Sequence, residues 1–235
     1  MLAIYKRELR GYFVGVIGYV FLVIYLAMAG ILFSYTTMFS MSSDVTGYFT
    51  LMLIFSAVVL PLLTMKSFSE ERKMKTEQLI LTAPISLPAM VFGKFLASYT
   101  VFGAATLLTS LYFLFLIPYT QLKFAILFGN LIAFLLVGMV FISIGLFVSA
   151  LTENQLSAAI GTIAIILGFL GIGLISALIP TNYGIRFIFN ALSIFTRFQS
   201  YVNGYFDFAT IIYYLSISGI FLWLTIRVYD RRRFG

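Results

Sequence analysis

A chain of 235 residues that is 62% hydrophobic and 10% charged, with a mean hydropathy of +1.07, carries more apolar surface than a soluble core of that size can hide. Its class is polytopic membrane protein. It contains neither Cys nor His, which removes disulfides, thiol nucleophiles, imidazole bases and the usual zinc ligands. The net charge of +7 comes from Lys and Arg beside apolar runs, as the positive-inside rule requires, and not from an aromatic-laced basic face that would hold nucleic acid.

Residues 1–12 are too short and too charged to cross a bilayer. Leu2, Tyr5, Leu9 and Phe13 recur at helical spacing around Lys6, Arg7 and Arg10, which predicts a helix lying in the membrane interface. A charged flank that merely orients the first span is the plainer alternative. Ala27-Met28-Ala29 could pass for a cleavage site, but the apolar run continues through Leu32 and Phe33 to span length, so the segment reads as an uncleaved first span.

A transmembrane helix needs about 20 predominantly apolar residues. Six runs satisfy this, at 13–34, 48–65, 88–116, 124–150, 156–179 and 208–228, within a single transmembrane domain over 1–235. With the N-terminus inside, 12 of the 15 Lys and Arg residues fall on the cytoplasmic side, leaving Lys123, Arg186 and Arg197 outside; both termini are then cytoplasmic. Pro61 should kink the second span or free a carbonyl. Lys94, one turn into the third run, is expected to snorkel to the cytoplasmic face. Gly161, Ala164, Gly168 and Gly171 suggest close packing along the fifth span.

The segment 180–207 holds an apolar stretch, Phe187 to Phe195, too short to span and too apolar for a solvated loop. It predicts an outside re-entrant or interfacial helical hairpin. Its Tyr183, Phe187, Asn190, Tyr201, Asn203 and Tyr205 read best as an interfacial aromatic belt.

No charged residue falls near the middle of a span, which weighs against a proton-coupled carrier or a voltage sensor. Gly93-Lys94 lacks the surroundings of a phosphate-binding loop, and Ser and Thr have no positioned partners for hydrolysis. An intramembrane enzyme is therefore disfavoured, and active work needs an external source of energy.

The loop 66–86 stands apart. Six of the eight residues from Glu70 to Glu77 are charged (Glu70, Glu71, Arg72, Lys73, Lys75 and Glu77). A helix starting near Ser67 or Ser69, with acids in its first turn and Pro84 as its stop, would suit docking on a soluble protein.

Lys66-Ser67-Phe68-Ser69-Glu70-Glu71-Arg72-Lys73 followed by Thr76-Glu77-Gln78-Leu79-Ile80-Leu81-Thr82-Ala83-Pro84-Ile85-Ser86 resembles the signature loop of ABC transporter type-2 permeases. Tyr5-Lys6-Arg7-Glu8-Leu9 resembles the family's interfacial start, and Gly145 to Gln155 its turn between the fourth and fifth spans. The closest resemblance is to the gliding-motility-associated branch, which is similar to permeases for nitrous-oxide-reductase maturation. One departure is visible: many relatives have Thr-x-Glu where this chain has Thr76-Glu77-Gln78, which turns the acid by about 100° on a helix.

The resemblance implies an all-α permease in a bacterial or archaeal inner membrane. It implies pairing with a second permease copy around a pathway bordered by the second and fifth spans, and export as the direction. It further implies a coupling helix seated on an ATP-binding cassette ATPase subunit that carries the ATP and Mg²⁺, with no cofactor on this chain. Phe68, Glu70, Glu71, Arg72, Thr76 and Glu77 are the candidates for coupling to that ATPase. A non-transporting membrane anchor that recruits a cytoplasmic complex is the alternative.

Overall fold

A computed structural model of the chain describes residues 1–39, 45–78, 85–118, 124–178, 189–205 and 207–234. Among them every regular element is helical, and six helices are long and apolar enough to cross a membrane. In chain order the main helices are α1 (Leu2–Val14), α2 (Val16–Phe33), α3 (Thr46–Thr64), α4 (Lys66–Lys73), α5 (Leu87–Ser110), α6 (Phe124–Leu151), α7 (Gln155–Leu178), α8 (Ile194–Val202) and α9 (Phe208–Phe234).

The first apolar run is not one helix from residue 13. Gly15 is extended (φ −80°, ψ 161°) and separates α1 from α2. A Cβ on Gly18 would collide with the Tyr12 carbonyl, so only a residue without one lets α2 leave so close to α1. The elbow is held from outside, because the Tyr12 hydroxyl donates to the Leu63 carbonyl (3.1 Å) and bonds Ser98 (2.8 Å). At its far end α2 widens into a π turn, Ser34–Met38.

α6 is the centre of the bundle. It packs against α3, α4, α5, α7, α8 and α9, and 72% of its apolar window is buried, against 28% for α2, α7 and α9. Lipid is as apolar as the side chains, so association here rests on close packing. Two α6 glycines provide it. A Cβ on Gly138 would strike the Phe102 ring of α5, and one on Gly145 would strike Thr64 of α3. The small residues expected to pack closely in the fifth span divide: a Cβ on Gly161 would sit 3.2 Å from Val148 of α6, whereas Gly168 and Gly171 have no atom within 4 Å of where a Cβ would sit. Counting small residues could not tell which face of a helix meets a neighbour.

Aromatic rings fill the other half of the core. Phe113 lies 5.3 Å from Phe33, 5.1 Å from Tyr48 and 5.9 Å from Phe49, in edge-on or stacked geometry. These contacts tie the 3-10 turn that follows α5, Leu111–Leu116, to α2 and α3. Pro61 lies inside α3, which stays helical through it; the Thr64 hydroxyl reaches back to the Leu60 and Pro61 carbonyls (3.4 and 3.3 Å).

The segment 180–207 is described from residue 189, so Tyr183 and Phe187 lie outside the described residues. α8 begins at Ser193, whose Oγ accepts from the Thr196 amide (3.1 Å) as an N-cap. It packs on α3, α6 and α7 with Ile194, Phe198, Tyr201 and Val202 buried. Tyr201 therefore does not join a lipid-facing belt; its hydroxyl donates to the Asp207 carbonyl (2.7 Å).

We expect Gly145→Val to lower stability by about 1–3 kcal/mol through overpacking. Gly129→Ala, on the same helix in open space, serves as the control that holds stability or raises it slightly. Thermal unfolding in detergent separates the two.

Candidate functional site: the charged end of the bundle

Elements distant in sequence meet at one end of the molecule. α1, α4, the start of α5, the α6–α7 turn and the end of α9 are linked there by ion pairs. Phe198 of α8 instead rests on Phe134 in the first half of α6, at the opposite end. The N-terminal helix and the C-terminal turn thus share an end, as an even number of spans requires.

α4 continues from α3 through Met65, which is itself helical (φ −55°, ψ −35°). The helix therefore starts at Lys66, not at a Ser cap, and its first turn holds no acid. The amides that would have needed a local cap find one on α6: Ser149 Oγ accepts from the Phe68 and Ser69 amides (both 3.1 Å) and donates to the Met65 carbonyl (3.0 Å). Ser69 bonds the same carbonyl.

The helix also ends before Pro84. The Lys75 amide donates to the Arg72 carbonyl (3.1 Å) and the Thr76 amide to the Glu71 carbonyl (3.0 Å), with Lys75 left-handed at φ 56°. This is the 5→2 and 6→1 pair of a Schellman ending. Leu79 to Pro84 lie outside the described residues.

Beneath α4 is a four-charge cluster. Lys94 Nζ sits 2.9 Å from Glu71 Oε1 and 3.3 Å from Glu8 Oε1, and donates to the Ser67 carbonyl (2.6 Å). Arg7 Nη2 completes it, 2.7 Å from Glu8 and 3.2 Å from Glu71. Two cations and two anions leave it neutral. Lys94 does not snorkel to water; its side chain is 1% exposed and lies over the fully buried Phe68 ring at 5.0 Å. Glu71 stands beyond the apolar part of α3. Burial raises its carboxyl above the ordinary value and Glu8 adds to that rise, while Lys94 and Arg7 pull it down. The Glu8 hydrogen bond raises the Arg7 guanidinium in turn. A cleft of about 290 Å³ opens between the α1–α2 elbow and α4, bordered by Glu8, Lys66, Glu70, Glu71 and Lys94.

A second cluster finishes α6. Arg72 donates to the Leu151 carbonyl (2.8 Å) and pairs with Glu153 (2.8 Å). Arg232 donates to the Ala150 carbonyl (2.7 Å) and pairs with Glu77 (2.9 Å). α9 can reach because it runs to Phe234, past the expected end at 228. A groove of about 500 Å³ is bordered by Arg72, Lys73, Lys75, Glu77, Glu153 and Arg232.

The six coupling candidates thus separate. Phe68, Glu71 and Glu77 face inward onto Lys94, Tyr229 and Arg232. Arg72 is shared between the α6 terminus and the surface, while Glu70, in an i,i+4 pair with Lys66 (3.5 Å), and Thr76 lie toward the outside. Sequence reasoning missed Ser149, Glu8, Glu153 and Arg232 as the partners holding the loop. The available signal was Lys94, since an ammonium inside an apolar run needs either water or anions. Among the described residues no group of three or more acidic, His or Cys side chains is placed to hold a metal.

The architecture is that of a multi-pass membrane subunit whose charged residues gather in one braced cap. The chain matches the ABC-2 family transporter protein family over residues 25–226 and belongs to it. It is accordingly an ABC-2 type transporter membrane subunit, non-catalytic, of a kind that generally pairs with ABC ATPase subunits. No curated protein matches the chain.

Lys94→Met should destabilise the protein by about 3–5 kcal/mol, because it leaves Glu8 and Glu71 to share the single positive charge of Arg7. Adding Glu71→Gln restores neutrality around Arg7 and Glu8 and should recover most of the loss, as read by thermal unfolding. Ser149→Ala should cost about 1–3 kcal/mol by removing the hydroxyl that accepts from the Phe68 and Ser69 amides, again read by thermal unfolding.

Proposed function

We propose that this subunit is the permease of an exporter in a bacterial or archaeal inner membrane, with both termini cytoplasmic. Its partner ATPase docks on the 66–86 segment. One observation carries the reading: the inward side chains of residues 66–77 are bonded to α1, α5, α6 and α9, so a push on α4 is received by the whole bundle. Glu70, Arg72 and Thr76 lie on the ATPase side, and Phe68, Glu71 and Glu77 hold the segment from behind.

Two copies pair around the pathway. α3 and α7 border it, and they keep apolar faces open in the single chain, with Ile54, Val58 and Leu62 on α3 and Ile160 and Leu167 on α7 exposed. Closure of the paired ATPases then switches the pathway by rigid-body movement. The wording of the loop supports placement beside the gliding-motility-associated permeases, and the substrate class stays open.

The test is purification of the tagged protein from its native membranes. An ATP-binding cassette ATPase should co-purify, with its hydrolysis stimulated by the permease in nanodiscs. Glu77→Gln, which releases Arg232 behind the docking face, should retain ATPase binding and lose most of the stimulation. Isolation of the subunit without an ATPase would support the membrane-anchor alternative.

A further inference from the structure

The acids at the charged end are already engaged within the chain. Glu8 and Glu71 bind Lys94 and Arg7, Glu70 binds Lys66, Glu77 binds Arg232, Glu153 binds Arg72 and Asp230 binds Arg227. Lys73 and Lys75 are exposed and make no ion pair among the described residues. Between them Met74 is 69% exposed. Lys73 closes α4 and Met74 and Lys75 form the turn that follows it, whose shape the Schellman bonds of Lys75 and Thr76 fix.

Lys75 occupies a conformation that favours glycine. At φ 56° its Cβ crowds the backbone, and among the described residues no ion pair of its side chain offsets that cost. The C′ position of a Schellman ending is usually Gly. An exposed lysine at that position is accounted for by a partner that binds it.

We propose that Lys73-Met74-Lys75 is the knuckle that enters the ATPase, and that it fits an apolar socket on that subunit with an acidic rim. The proposal rests on the permease reading and specifies the chemistry of its partner. Met74 supplies the apolar anchor, and the two ammonium groups flank it at fixed positions. Since the cap's own acids are internally neutralised, the face it presents is positive, and a basic partner surface would be repelled. The ion pairs lie at a rim open to water, so the contact weakens as salt rises.

The experiment uses the permease with its co-purified ATPase in nanodiscs. Lys75→Gly removes the ammonium and relieves the left-handed strain, so thermal stability should hold or increase while ATPase affinity falls several-fold. Lys73→Glu with Lys75→Glu should weaken binding on the order of tenfold or more and reverse the salt dependence. Met74→Asn should weaken it at every salt concentration. Equal affinity in wild type, Lys75→Gly and the double variant would overturn the proposal. A loss seen with phosphatidylglycerol but absent with phosphatidylcholine alone would also overturn it, by assigning the lysines to an anionic lipid surface. Failure of the wild type to bind any ATPase would instead refute the permease reading on which it stands.

Discussion

The last carbonyls of α6 set the constraint on which the charged end is built. A helix leaves its final carbonyls without backbone partners, and in apolar surroundings each bare group costs several kcal/mol. Arg72 and Arg232 answer Leu151 and Ala150. A guanidinium has donors to spare, so each goes on to hold a carboxylate, Glu153 or Glu77. A lysine offers a single charged point and could not serve both groups in the same fixed fork. Satisfying one helix terminus thereby locks α4, α9 and the α6–α7 turn to one another.

The neighbouring cluster obeys the same electrostatic rule with different groups. Lys94 would be costly alone in the third span, and so would Glu71 at its present depth. Together with Glu8 and Arg7 they form a neutral set in which each charge has an opposite neighbour. Phe68 joins the two clusters, with its ring against Lys94 on one side and Tyr229 on the other. That position explains a fully buried phenylalanine in a segment whose composition suggests solvent.

Bilayer thickness imposes length and hydropathy directly, so the six spans were legible in the sequence. What was not legible depended on contacts between elements. The elbow at Gly15 sits inside a continuous apolar run, and the bonds that hold it belong to Leu63 and Ser98. The Ser cap expected for α4 assumed a free helix end, whereas α3 runs into it and Ser149 supplies the acceptor from 80 residues away. Pro84 looked like the natural stop, yet hydrogen bonding at Lys75 ends the helix sooner. The charge pattern marked the right loop, but it could not separate Glu71, which is spent on Lys94, from Lys73 and Lys75, which are not.

These bonds also determine how a displacement of α4 would spread. α4 cannot tilt against α6 without breaking the Ser149 and Leu151 hydrogen bonds, nor against α3, with which it is continuous through Met65. At Gly145, α6 lies too close to the Thr64 side chain of α3 to admit a Cβ. The three helices therefore respond as one body, since packed interiors shift between arrangements and do not deform smoothly. α8 rests on both α3 and α6 at the opposite end. Under the proposed docking, a push at the tip of α4 would be delivered to α8 through the packed helices α3 and α6, which carry no charged residue between Thr46 and Thr64 or between Phe124 and Leu151.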